Sequence, residues 1–315
     1  MQETSLPIRR TRRKGAHWRT RGFLISVWAY PVLLFAVLYV YVNFRSFVMA
    51  FQHVDPTTFE YTFAGFDNFR LFIDNLMNLA DMDYIFGNSL IAFLAKVLID
   101  IPASILISFF LYKKIYASGA LKIALFLPTI ISSIVWVTMF KYFVEWALPS
   151  VIEALGGDAS DVQLLTRPSQ QFGTMLFYTL WMGLPGSMLI YLGTMTRIPS
   201  SLVEAGKLDG MGMMSELWHV VLPLSFPVVS VNIITAIPGF FTNQLSLYAF
   251  FEDGAEYQAY TFGYYLFALV IGKNQGGVEQ YPYASAAGLL FTLIAAPLTL
   301  TVKWLLEKFG PEAEF

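Results

Sequence analysis

Apolar residues in this chain gather into six runs, near 22–44, 86–112, 120–146, 173–194, 220–247 and 282–306, separated by intervals that carry most of the charge. About twenty apolar residues cross the hydrocarbon core of a bilayer as a helix. The pattern therefore predicts an all-α polytopic membrane protein with six transmembrane helices. The first run follows a long basic region, is of full spanning length and meets no small-x-small cleavage site before Asn43 and Arg45, so it reads as a retained helix and not a cleavable leader. Pro31, Pro102, Pro128, Pro185, Pro238 and Pro297 fall in or beside the runs. Membrane helices accept them because neighbouring groups re-satisfy the freed carbonyls. The organisation expected is a basic N-terminal segment over 1–21, a transmembrane domain over 22–310 and a short tail over 311–315.

Composition agrees with the pattern: 56% of the 315 residues are hydrophobic, 17% aromatic and 13% charged, far more apolar than a soluble domain of this length. The net charge of -2 says little, because the information lies in where the charges fall. Arg9, Arg10, Arg12, Arg13, Lys14, Arg19 and Arg21 precede the first run. Lys113, Lys114 and Lys122 lie between the second and third, and Lys303 and Lys308 close the last. Asp55, Asp67, Asp74, Asp81 and Asp83 occupy one opposite interval and Glu145, Glu153, Asp158 and Asp161 another. Positive charge marks the cytoplasmic side. Both termini and the interval near Glu204 are thus expected inside. The R-R-T-R-R-K stretch beside a span reads as an orientation and anionic-lipid signal, not as a nucleic-acid site.

Candidate chemistry is sparse. There is no cysteine, and His17, His53 and His219 are too scattered to suggest a metal site. Ala205-Gly206-Lys207 and Ile271-Gly272-Lys273 contain Gly-Lys but lack both the earlier glycine and the following Ser or Thr of a phosphate-binding loop. No ATP site, cofactor or catalytic residue is expected in this chain.

The polar segment Glu204 to Pro227, EAGKLDGMGMMSELWHVVLPLSFP, is wedged between two apolar runs. It cannot lie in hydrocarbon and reads as a folded loop at the membrane face. Pro199 can open a short helix carrying Glu204, Asp209-Gly210 supplies a turn with positive φ, a second short helix is expected from about Met213 to Val220, and Pro223 marks the start of the fifth span. The segment resembles the cytoplasmic coupling loop of ABC importer permeases, E-A-A-x-x-x-G followed thirteen residues later by proline. Glu204, Ala205, Gly206, Asp209, Gly210 and Pro223 fall in register. Departures are Gly206 for the second alanine and Met211 for the usual small residue after the glycine. The resemblance, to the maltose-type carbohydrate-uptake branch, implies the type I importer permease fold with cytoplasmic coupling helices over 198–223. It also implies a place in a bacterial or archaeal cytoplasmic membrane beside a second permease, two ATPase subunits that hold ATP and Mg, and an external solute-binding protein. Gly263, Tyr283, Ala284, Ala286 and Ala287 before the last run further resemble the first permease of a heteromeric pair.

Two glycine- and proline-bearing segments are expected to interrupt spans four and five: Thr179 to Gly186, with a W-x-G-x-P match at Trp181, Gly183 and Pro185, and Pro238 to Gln244. The resemblance assigns Thr179, Met182, Gly183, Gly186, Gly239, Phe240 and Asn243 to a sugar path, with Phe240 and Asn243 on one face of span five; packing between helices accounts for the same residues. Lys96 and Asp100, four apart in span two, can pair on one helix face. Such a pair could relay protons, or orient the span against the partner permease. The function implied is import of a sugar, oligosaccharide or polyol. The alternatives are an ion-coupled secondary transporter using Lys96 and Asp100, which would need inverted repeats that the chain does not show, or a same-fold permease for a non-sugar solute.

Overall fold

The computed structural model describes residues 16–55, 57–78, 82–158, 163–252, 254–271 and 280–311. The arginines of the basic segment before residue 16, Asp81, Asp161, Lys273 and the tail from 312 lie outside them. The described chain is almost wholly helical and forms two units, one ending at Met49 and the other beginning at Ala50.

The first unit is a helical rod: α1 (Ala16–Leu34) continues through a π-helical stretch (Phe35–Tyr41) into α2 (Val42–Met49). Pro31 sits inside α1 without ending it. Within the rod, Asn43 donates its side-chain amide to the Tyr39 carbonyl at 2.6 Å.

The second unit opens with a small antiparallel hairpin, β1 (Gln52–Val54) and β2 (Tyr61–Phe63), paired His53 to Thr62. The amphipathic α3 (Asp67–Asn78) follows. Then α4 (Met82–Ala95), a π-helical turn (Lys96–Asp100) and α5 (Ile101–Tyr112) make one uninterrupted rod. α6 (Ser118–Ile130) and α7 (Ser133–Tyr142) come next, the latter running through a π-helical turn (Phe143–Ala147) into α8 (Leu148–Ala154). α9 (Pro168–Met195) is the next long rod. α10 (Ser200–Leu208) is short, and α11 (Met213–Glu216), a π-helical turn (Leu217–Val221) and α12 (Leu222–Thr242) form the third. α13 (Leu247–Phe251), α14 (Phe262–Ile271) and α15 (Gln280–Phe309) close the chain.

Five helices among the described residues are long and apolar enough to cross a membrane, or six if one bent pair is counted as a single span. That pair is the run near 120–146, which is not one straight helix: Ser118–Ile130 and Ser133–Ala154 meet at 106°. Ile131 and Ser132 are extended there, with ψ of 143° and 138°. A count of apolar residues cannot see such a corner, because every residue through it except the serines is apolar. The glycines and proline of the fourth run do not interrupt it either. α9 passes through Pro185 as a single helix, its flanks closed by packing of Trp181 against Trp136 at 5.6 Å and of Tyr178 against Phe250 at 4.8 Å.

Two apolar clusters hold the second unit together. One joins α3, α4, α9, α12, α14 and α15 through Phe72, Phe241, Phe262, Tyr264 and Phe291. The other joins α5, α9 and α12 to α10, through Phe109, Tyr191, Met195, Val203, Leu217 and Val221. Rings dominate the first because large faces bury much area with few rotamers to fix.

Candidate functional site

Two regions carry the residues that the sequence singles out, and they lie along the same helices. The first is the loop between α9 and α12. Pro199, with ψ of 131°, leads into α10 at Ser200, where its fixed φ suits the cap. The helix ends in a turn that needs glycine: Gly210 has φ +84°, and the Met211 N–H returns to the Gly206 carbonyl at 2.9 Å, the 6→1 bond of a Schellman stop.

Both departures from the family pattern meet in this turn. A methyl built on Gly206 would overlap the terminal methyl and sulfur of Met211. The methionine thus fills the space that an alanine would take, so the glycine and the methionine are one compensated feature.

The inner face of α10 is anchored by Val203, buried with Ile198 and Leu217. Its outer face is not covered by any of the described residues: Glu204, Ala205, Lys207 and Asp209 are exposed, and Leu208 is 90% exposed. The second helix expected from Met213 is not separate from span five but the start of it, since Met213–Thr242 is one helix. Pro223 lies inside that rod and does not begin it. The turn just before it, Leu217–Val221, is π-helical, and the Leu222 N–H reaches back five residues to the Leu217 carbonyl. This wider register lets the rod absorb a residue that has no N–H to donate.

Sequence reasoning missed the tie that holds this rod. Lys113, at the end of α5, donates to Glu216 Oε2 at 2.7 Å, and Glu216 is 2% exposed. The one available signal was the lone carboxylate in the stretch Met213 to Val221.

The second region is a cavity of about 290 Å³ between the π-helical turn of span two, α9 and α12. Thr179, Gly183, Gly239 and Asn243 all line it, together with Lys96 and Asp100. Thr179 Oγ1 is buried without a hydrogen-bond partner among the described residues. Lys96 pairs with Asp100 Oδ2 and donates to Ser187 Oγ of α9 at 3.3 Å. Ser187 in turn donates to Asp100 Oδ2 at 3.4 Å. The pair therefore ties span two to α9 of the same chain.

Three assigned path residues lie elsewhere. Met182 packs into the aromatic cluster and Gly186 is exposed. Phe240 faces a separate apolar cavity of about 520 Å³ with Phe86 and Phe93. Phe240 and Asn243 do not share a helix face, because α12 stops at Thr242 and Asn243 is extended, with ψ of 124°. There Asn243 Oδ1 accepts the Leu245 N–H at 2.9 Å and its carbonyl accepts the Thr261 hydroxyl at 2.5 Å.

A multi-pass helical core, a short helix exposed on a loop and a cavity among the long rods define a membrane permease. The comparisons give the class. No family model matches the chain. It is similar to the multiple sugar-binding transport system permease protein MsmF of Streptococcus mutans, 26% identical over 280 residues that cover 89% of this chain and 93% of that one. It is similar also to the glucose import system permease protein GlcT of Saccharolobus solfataricus, 23% identical and covering 87% and 96%. Among solved structures it matches, with a TM-score of 0.75 and 17% identity over 96% of this chain and 100% of that one, a chain of a bacterial alginate ABC transporter in complex with its alginate pentasaccharide-bound periplasmic protein. The fold is that of an ABC importer permease subunit, and the sequence is related over nearly its whole length to permeases of sugar transport systems.

Proposed function

We propose that this chain is the membrane-spanning subunit of an ATP-driven importer of sugars, oligosaccharides or related polyols, working with a second permease, two ATPase subunits that hold ATP and Mg, and an external solute-binding protein. The observation that carries it is α10: its inner face is fixed to α5, α9 and α12, while its outer face presents Glu204, Ala205 and Leu208 with nothing from the described chain upon them. A helix end so held and so exposed is fitted to dock in a groove of a second protein, with Glu204 opposite a cation. The lysine and arginine asymmetry supports a cytoplasmic position for this loop, where ATP is. Movement of the docked loop passes along the Met213–Thr242 rod to the cavity, whose wall at Gly239 and Thr242 belongs to the same rod. Thr179, Gly183, Gly239 and Asn243 form the solute path.

The chain takes energy from its partners. Nucleotide titrated against the purified chain alone should give a flat response, and saturable ATP binding there would overturn the assignment. In proteoliposomes, oligosaccharide uptake by the complete complex should require ATP on the α10 side.

A further inference from the structure

The cavity holds two polar atoms that packing leaves unexplained, Thr179 Oγ1 and Asp100 Oδ1. Asp100 has a side chain with no exposure at all, and its Oδ2 is occupied by Lys96 and Ser187, yet its Oδ1 is buried without a hydrogen-bond partner among the described residues. A buried polar atom left unpaired costs free energy; Glu216 Oε1 at the Lys113 tie shares that state, but of the two carboxylates only Asp100 borders this cavity. The atom nearest to a methyl built on Gly183 is this same Oδ1, at 3.7 Å. The wall facing the acceptor is therefore a residue with no side chain. Lys96 keeps 35% of its side chain exposed, so its ammonium retains donors beyond those given to Asp100 and Ser187. Both residues belong to a π-helical turn, a form of backbone that recurs at functional positions. Among the residues lining the cavity they alone are charged, and their charges cancel.

Resting on the reading of this chain as a sugar permease, we propose that the Lys96–Asp100 pair is the hydroxyl-reading element of the cavity. One hydroxyl of an uncharged sugar accepts from the Lys96 ammonium, and its neighbour donates to Asp100 Oδ1. Both bonds are charge-assisted and so stronger than those between neutral groups. Because the pair is neutral overall, it offers nothing to offset the desolvation of a carboxylate, and the Asp100 charge opposes one. Uronate-bearing solutes are excluded by the same residues that admit neutral ones.

The test uses the complete importer in proteoliposomes, with labelled neutral gluco-, manno- and galacto-oligosaccharides and labelled oligogalacturonates as probes. The parent complex should take up a neutral probe and no uronate. The double variant Lys96→Met/Asp100→Leu replaces the pair by apolar groups of similar size, a change that buried pairs commonly tolerate. It should assemble, with neutral uptake down by roughly tenfold or more. Asp100→Asn leaves the ammonium unopposed and should give measurable uronate uptake where the parent has none. This gain decides the matter if the double variant fails to assemble. Parental uptake by the double variant, uronate uptake by the parent, or no uronate uptake by Asp100→Asn would overturn the inference and leave the importer assignment standing. A parent complex that moves no oligosaccharide of either kind would overturn both.

Discussion

Gly206 and Met211 illustrate what a single position can and cannot say. Each departs from the expected pattern when read alone, and only the turn at Gly210 brings the two side-chain positions together. What fills the space is the flexible end of a thioether, so an alanine at 206 would swing Met211 aside instead of distorting backbone. Gly206→Ala should therefore gain less than the roughly 1 kcal/mol that alanine usually adds over glycine in a helix, and should gain it in full when Met211→Ala is also present. Thermal unfolding of the four variants in detergent measures this coupling, and strictly additive shifts would show that the two residues do not touch. Asn243 teaches the opposite lesson. The apolar run reads on to residue 247, and nothing in the hydropathy pattern reveals that the helix stops at Thr242 and that the Asn243 amide serves the Leu245 N–H. Asn243→Ala should lose this local bond, at about 0.5–1.5 kcal/mol, and weaken uptake through the cavity wall.

At the scale of elements, the long rods were legible because length and hydropathy report them directly. The α10 helix was legible through Pro199 and Asp209-Gly210, whose backbone demands are local. Three features were not: the corner at 131–132, the continuity of Met213–Thr242 through Pro223, and the tie from α5 to that rod. The first two are backbone choices that hydropathy does not report, and the third joins residues far apart in sequence: Lys113 and Glu216 lie 103 residues apart. Lysine at 113 was readable only as an orientation signal. Removing it strands a carboxylate that is 2% exposed, so Lys113→Ala should destabilise by up to about 3 kcal/mol. The double variant Lys113→Met/Glu216→Leu should recover most of that loss, since the cost lies in the unpaired charge. Unfolding midpoints of the single and double variants would settle it, and a single variant as stable as the parent would deny the tie any weight.

At the scale of the whole molecule, the long apolar helices are legible in the sequence, while the co-location of Thr179, Gly183, Gly239 and Asn243 with Lys96 and Asp100 in one cavity is not. Cavities arise where helices meet, and no single helix encodes one. The topology has a direct check, because the parent has no cysteine. With an impermeant thiol reagent, Glu60→Cys should label in intact cells and Ser118→Cys only after the membrane is opened. The reverse order would invert the orientation and remove α10 from the side where ATP is.

The central claim is that α10 transmits the work of an ATPase to the rods around the cavity, and Glu204 is where that claim is most exposed. Glu204→Lys reverses a charge on an exposed helix and should leave insertion and folding intact. Co-purification of the ATPase with the variant, together with ATP-driven uptake, is the measurement. The account predicts that the variant reaches the membrane at the parental level, loses the ATPase on purification and does not transport. A Glu204→Lys complex that retains the ATPase and transports at the parental rate would contradict it.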